Sequence, residues 1–252
     1  MEGPSLFLAQ EQLIVFKGKR IKVVSGNTKI GKERLLDKEV KDIFSWGKHL
    51  CFQFDEFAIR VHFLLFGTFE AVVNGKPVTG DYRRSKEPRL KLEFSNGEIS
   101  MFNCSIKLFD EKDLKNTYDF SVNIMSNTFD IKKALLQLRN NNDQEIADVL
   151  LDQDIFAGVG NMIKNEVLSL VFIHPQTLVK DLSDKKLKEL IKVTKEFSYQ
   201  FYLWRKEFLL LKHLKIHRKS VCPHCETKVI REKTGKKQRW SYYCPLCQKI
   251  VN

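Results

Sequence analysis

Four cysteines near the end of the chain have the spacing of a metal site. Cys222-x2-Cys225, eighteen further residues, and Cys244-x2-Cys247 form two pairs, each able to turn two sulfurs toward one ion. Four thiolates at about 2.3 Å complete a tetrahedron with no open position, so the expected ion is one structural zinc. It would contribute folding free energy on the order of 10 kcal/mol to a segment too small for its own core. A dithiol redox pair is the alternative, and two matched pairs at ribbon spacing argue against it. His217 and His224 are read as surface residues, not competing ligands. Between the pairs, Lys236, Lys237 and Arg239 lie at or near a turn loosened by Gly235, and "WSYY" returns as a strand. A hairpin clamped at its base by a metal can hold an Arg fork on a phosphate.

A second group lies upstream, in "LLDQDIFAGVGNMIKNEVLSLVFIHP" (150–175). It reads as a helix, a turn containing Gly158 and Gly160, and a new helix from about Asn161. The glycines allow close backbone approach, and the free N–H groups of the new helix favour an anion such as a phosphate. The plainer alternative is a helix corner that needs glycine only for packing.

These groups need elements to hold them. Helical spacing over Leu6–Phe16 follows Pro4 and Ser5, which suit a helix start. Short β-branched and aromatic runs come next, punctuated by Asn-Gly and Gly turns: "RIKVVSG", "HLCFQF", "AIRVHFLLFGTFEAVV", "RLKLEFSNGEISMF" and "SIKLF". They indicate an antiparallel sandwich or barrel over roughly residues 1–115. "NTYDFSVNIMSNTFD" reads as a linker. Helical periods follow in "IKKALLQLR", "DQEIADVLL" and "NMIKNEVLSLV", with "NNND" breaking and capping between helices, then a long helix over about 183–213. The fold class is α+β: a β-sandwich domain with flanking helices over 1–120, a helical domain over 121–216, and a zinc-finger hairpin over 217–252.

The formal net charge is +12, and residues 211–252 carry eleven Lys/Arg against Glu226 and Glu232. One sixth of the chain thus holds three quarters of the excess, which favours a polyanionic partner, nucleic acid first. No apolar run approaches the twenty residues of a membrane span. The start lacks a basic n-region and a long apolar core, which argues against a secretory signal. Cys51 and Cys104 sit in strand-like runs and read as buried thiols. An intracellular, cytoplasmic setting in association with the nucleoid is expected.

With these motifs in hand, the sequence resembles the formamidopyrimidine-DNA glycosylase and endonuclease VIII family of base-excision repair enzymes. The resemblance rests on "EGP" at 2–4, on "AGVGN…NEVL…HP", and on "CPHC…QRWSYYCPLCQ", in order along nearly the whole chain. It implies a helix–two-turn–helix in the helical domain and a monomer acting on double-stranded DNA that carries damaged bases or abasic sites. Glu2 would be the acid/base carboxylate at the lesion sugar. Lys48 in "SWGKHL" would reach the backbone and the reacting nucleotide. Asn161 and Arg239 would clamp flanking phosphates, with His62 adding another contact. Leu64, Leu65 and Phe66 would be the wedge that fills the gap left by an extruded base. Without the resemblance, "LLF" reads as ordinary strand core.

The sequence departs from the family in three places. Met1 stands where the family has a proline whose amine attacks C1′, and Met before Glu is expected to stay on the chain. Ser5 replaces a usual Glu. "NCSIKLFD" lacks the Arg-x-Phe-like pair of the formamidopyrimidine branch, which together with the Leu-Leu-Phe wedge leans toward endonuclease VIII. The Met1 α-amine, titrating near about 7.7–8.0, is neutral far more often at pH 7 than an ordinary Lys near about 10.4, and either amine forms a Schiff base once deprotonated. Four readings stay open: attack by the Met1 amine, attack by Lys48, water activated by Glu2, and a damaged-DNA binder without turnover. A zinc-ribbon transcription module would leave "EGP" and the glycine corner unexplained.

Overall fold

Alternation of apolar residues sets the first half of the chain. The computed structural model describes residues 1–78 and 87–250. Seven strands, β1 (Val23–Ser25), β2 (Asp42–Trp46), β3 (His49–Gln53), β4 (Ala58–Val73), β5 (Lys76–Pro77), β6 (Leu90–Phe94) and β7 (Gly97–Phe109), form one antiparallel sheet. Its order is β1-β6-β7-β4-β3-β2, with β5 beside β4. The two long strands organise it. The β4–β7 ladder breaks between Phe63 and Thr68, so β4 pairs with β3 before the break and with β5 after it. Phe63 and Phe69, on either side of the break, join one buried cluster with Leu50, Phe52, Ile59 and Val61. Leu6, Ala9 and Leu13 of α1 (Gly3–Leu13) enter the same cluster. Burying these side chains at roughly 25 cal/mol per Å² of apolar surface is what selects this register, because a one-residue slip would turn each strand inside out.

The second half is helical: α2 (Ile131–Arg139), α3 (Ile146–Val149), α4 (Asn161–Leu170), α5 (Asp184–Lys206) and α6 (Leu210–His213). Asp130 and Ser183 cap α2 and α5 through their side chains. Asn140 closes α2, but Glu145, outside the Asn run, precedes α3, so "NNND" breaks a helix without capping the next. The helix expected over 183–213 is divided. Leu209 N–H bonds Trp204 O and Phe208 N–H bonds Arg205 O, with Phe208 at φ +60. That is a Schellman stop with phenylalanine in the left-handed position usually taken by glycine. Phe172 (φ +54) ends α4 in the same way. The chain closes with the hairpin β8 (Ile230–Thr234) and β9 (Arg239–Tyr243).

Contacts divide the chain into two units, Met1 with Ser5–Asp119, and Glu2–Pro4 with Phe120–Asn252. The zinc-finger segment and the helices therefore share one unit. Cys51 and Cys104 are free and buried in the first, where burial pushes their thiols up to about 12 and about 11. Among the described residues no helix is long and apolar enough to cross a membrane.

Candidate active site

In the second unit the site is built around the first turn of α4. The anion that meets its free N–H groups is a side chain of the chain itself. The Glu2 carboxylate accepts from Gly160 N–H (3.1 Å), Met162 N–H (2.7 Å) and Ile163 N–H (3.2 Å). These are charge-assisted bonds at the positive end of a helix. Gly3 N–H bonds Gly158 O at 2.8 Å and ties the adjoining backbone to the corner. Both alternatives for the glycines now have an answer. Gly158 is needed for its φ of +105, while Gly160 has ordinary extended backbone and is needed for space. A Cβ at Gly160 would overlap the Glu2 carboxyl carbon. Gly160→Ala should therefore displace Glu2 and destabilise the protein by about 1–3 kcal/mol. The expected result is a melting temperature several degrees lower; unchanged melting would mean that Glu2 docks elsewhere.

Next to Glu2, α4 grips the hairpin through Asn161, expected at a phosphate, and through Lys164 and Asn165, to which the sequence assigned no role. Asn161 Nδ2 donates to Trp240 O at 2.8 Å, and Lys164 Nζ (3.3 Å) and Asn165 Nδ2 (3.4 Å) converge on the same carbonyl. Lys164 is 1% exposed and also donates to Ser241 Oγ at 2.8 Å. Burial lowers its pKa to about 8, with Arg239 pulling the same way and Asp148 and Glu2 opposing. Glu166 accepts the N–H groups of Lys215, Ile216 and His217 at 2.7–2.9 Å.

His217 is not the surface residue expected. It is 9% exposed and pairs its Nδ1 with Asn165 Nδ2 at 2.8 Å. Burial first, then Arg218 and Lys164, lowers it to about 4, so the ring is neutral and Nδ1 accepts. Nor is Gly235 a loose hinge. Asp148 accepts from Lys236 N–H (2.5 Å) and Lys237 N–H (3.2 Å), and a Cβ at Gly235 would strike its carboxylate. The hairpin tip is docked, and Arg239 beside it is exposed.

The four cysteine sulfurs lie within 4.8 Å of one another. Contacts of 3.9 Å (Cys222–Cys247), 3.4 Å (Cys225–Cys244) and 3.4 Å (Cys247–Cys225) are too long for a disulfide and bracket the edge, about 3.8 Å, of a tetrahedral thiolate site. The donor set fits a metal ion. Neither His217 nor the exposed His224 is in that cluster.

In the first unit, Met1, Lys48 and His62 are half-buried. Burial, the amino terminus, Lys48 and Arg60 all lower the pKa of His62, so it is a neutral hydrogen-bonding group amid cations. Leu64, Leu65 and Phe66 fall where the β4–β7 register breaks, and they are 44%, 76% and 66% exposed. The reading as strand core is therefore excluded. Gly67 makes the excursion possible, because a Cβ there would lie 2.5 Å from Asn103 O.

Residues 121–198 match the formamidopyrimidine-DNA glycosylase H2TH domain. Endonuclease 8-like 3 of Mus musculus is 32% identical over 206 residues, covering 81% of this chain and 33% of that protein. Endonuclease 8-like L720 of Acanthamoeba polyphaga mimivirus is 27% identical over 283 residues, covering 98% of this chain and 99% of that one. A Lactococcus lactis formamidopyrimidine-DNA glycosylase, solved non-covalently bound to DNA containing an abasic site, superposes with a TM-score of 0.83 at 22% identity, covering 99% of this chain and all of that one. The chain belongs to the formamidopyrimidine-DNA glycosylase and endonuclease VIII family. It spans about a third of the length of the Endonuclease 8-like 3 proteins it matches. For a member of this family, the readable signals were "EGP", "GVGN" and the four cysteines. Asn165 and Glu166 were part of the readable "NEVL" but carried no assigned role, since with Lys164 they form a polar run on a helix that reads as a solvated face, and Asp148 and His217 were isolated polar residues.

Proposed function

We propose that the chain is a base-excision DNA glycosylase that removes oxidatively damaged bases from duplex DNA, with abasic-site lyase activity through an amine. The observation that carries this is the placement of Glu2. Three N–H donors hold its carboxylate at the start of α4, beside Asn161, which is bonded to the backbone next to Arg239. The Met1 amine belongs to the adjoining residue and adds its electrostatic influence to His62 together with Lys48. In this reading the neutral amine adds at C1′ of the damaged nucleotide, the bond to the base breaks, and the base leaves with a proton. Glu2 moves that proton at the sugar. The amine then gives up its second proton, the C1′–O4′ bond breaks as O4′ takes a proton through Glu2, and the Schiff base so formed at C1′ is the species from which the strand is cleaved.

Asn161, Arg239, Lys48 and His62 take the phosphates around the lesion, and Leu64, Leu65 and Phe66 fill the vacated stack. Cys222, Cys225, Cys244 and Cys247 hold zinc, which supplies folding free energy and no chemistry. All these residues come from one chain, which supports action as a monomer. The protein acts inside the cell at the nucleoid, and the unpaired, buried Cys51 and Cys104 fit a reducing compartment.

The second reading, a damaged-DNA binder without turnover, is favoured by Met1 in the place of the family's proline. Borohydride trapping on DNA with an abasic site separates the two, using protein whose amino terminus is verified by intact mass. A covalent adduct that survives Lys48→Ala and disappears when the α-amine is blocked is expected. Base release without any adduct would move the chemistry to water, and neither adduct nor base release would leave the binder.

A further inference from the structure

The sheet face of the first unit that carries His62 extends beyond the residues assigned above, since the His49 ring lies 5.6 Å from that of His62. Side chains alternate along a strand, so Leu50, Phe52, Ile59 and Val61 enter the core while their neighbours point away. Register sets Trp46 opposite His49, with Cys51, Arg60 and Lys107 in the adjacent row. The open end of this face carries rings. Trp46 and Tyr118 stack at 4.9 Å and 21°, Trp46 and His49 lie at 6.0 Å and 20°, and His49 and Tyr118 are 6.3 Å apart. These separations make a triangle and not a line. Tyr118 and His49 therefore do not sandwich the indole, which would hold them roughly 10 Å apart at ordinary stacking distances. The indole is fixed by its Nε1, which donates to Asp119 O at 2.8 Å, and it stays partly exposed.

The surroundings are cationic. Arg60 bonds Tyr118 Oη at 3.3 Å and lies over Phe109, Lys107 is exposed, and Lys48 adds to the field that, after burial, keeps His49 neutral. The acid on the same face, Asp42, is engaged by Lys17 and Lys115.

We infer that this shelf binds an unpaired nucleobase of a DNA strand, stacked on Trp46, with adjoining phosphates near Lys48 and Lys107. Every base has a π-face, so a fixed aromatic plane beside cations takes an unpaired nucleotide of any sequence, whereas a base within a duplex has both faces covered by its stacked neighbours. A peptide partner would call for aliphatic surface, and this face presents rings set among positive charges. The inference rests on the DNA-binding reading proposed above.

The test is fluorescence anisotropy with a labelled single-stranded dodecamer and the duplex of the same sequence. Trp46→Ala is expected to weaken single-strand binding about tenfold and to lower the ratio of single-strand to duplex affinity by a similar factor. Trp46→Phe, which keeps a ring and loses the Nε1 bond, should recover most of that ratio. Equal losses on both probes, as from a damaged fold, or no loss on either, would overturn the shelf while leaving the DNA reading in place. A wild-type protein that bound neither probe would overturn the DNA reading itself.

Discussion

Glu2→Gln is expected to slow base release by a factor of about 10²–10⁴ while duplex affinity stays within a few-fold. The carboxylate faces the start of α4, where Gly160, Met162 and Ile163 supply its hydrogen bonds. Glutamine matches it in size and can still accept from that turn through Oε1, so the local structure should persist. What disappears is the group that, on the proposed function, takes and returns a proton. Removing a negative charge from a surface meant for phosphates cannot weaken long-range attraction. Single-turnover base release and equilibrium binding, measured on the same preparation, separate the two quantities. Parallel losses in rate and affinity would make Glu2 a helix cap and nothing more.

Removal of the metal is expected to cost at least a hundredfold in duplex affinity, whether by chelation or by Cys244→Ser. The apolar cluster at the base of the hairpin contains Ile216, Cys222, Val229 and Cys244, four buried residues. Ordering a residue costs about 1–2 kcal/mol, so such a cluster falls well short for the segment, and metal binding on the order of 10 kcal/mol makes up the difference. Once the hairpin is released, Trp240 O leaves Asn161, Lys164 and Asn165, and Arg239 loses its position. The core of the sheet includes no residue of this segment, so the first unit should keep its melting transition. Metal content by mass spectrometry, thermal melting and anisotropy check the chain of cause. A stripped protein that bound duplex normally would remove the hairpin from the interface.

The parts of this architecture that were legible in the sequence are those where one residue type has one physical reason to be present. β4 was readable from end to end because its apolar run is long, and α2 because its apolar spacing ends at the Asn run. β2 was missed, since "DIFSW" is five residues between polar stretches and becomes a strand only by pairing with β3. The stop after α5 was missed because phenylalanine, not glycine, takes the left-handed position, and apolar spacing runs on through Leu209 and Leu210. In the site, the need for an anion at α4 could be read from the glycines, but the identity of that anion could not. A carboxylate 158 residues away meets it, and nothing local announces the match. Lys164, Asn165 and Glu166 were opaque for a related reason. Lys164 and Asn165 are covered by a hairpin that arrives some seventy residues later, and Glu166 by the backbone of Lys215 to His217, some fifty residues on.

Asn161, Lys164 and Asn165 converge on a peptide oxygen, and this governs how a mutational scan of the region will read. Changing the indole of Trp240 leaves the acceptor in place, so a side-chain scan passes over the junction at that residue. Changing any one donor leaves two others to share the oxygen, so the loss of that one bond should by itself add little to the cost of a single substitution. The junction becomes visible in pairs: the second donor removed should cost more than it does alone, a synergy that marks three arms of one latch.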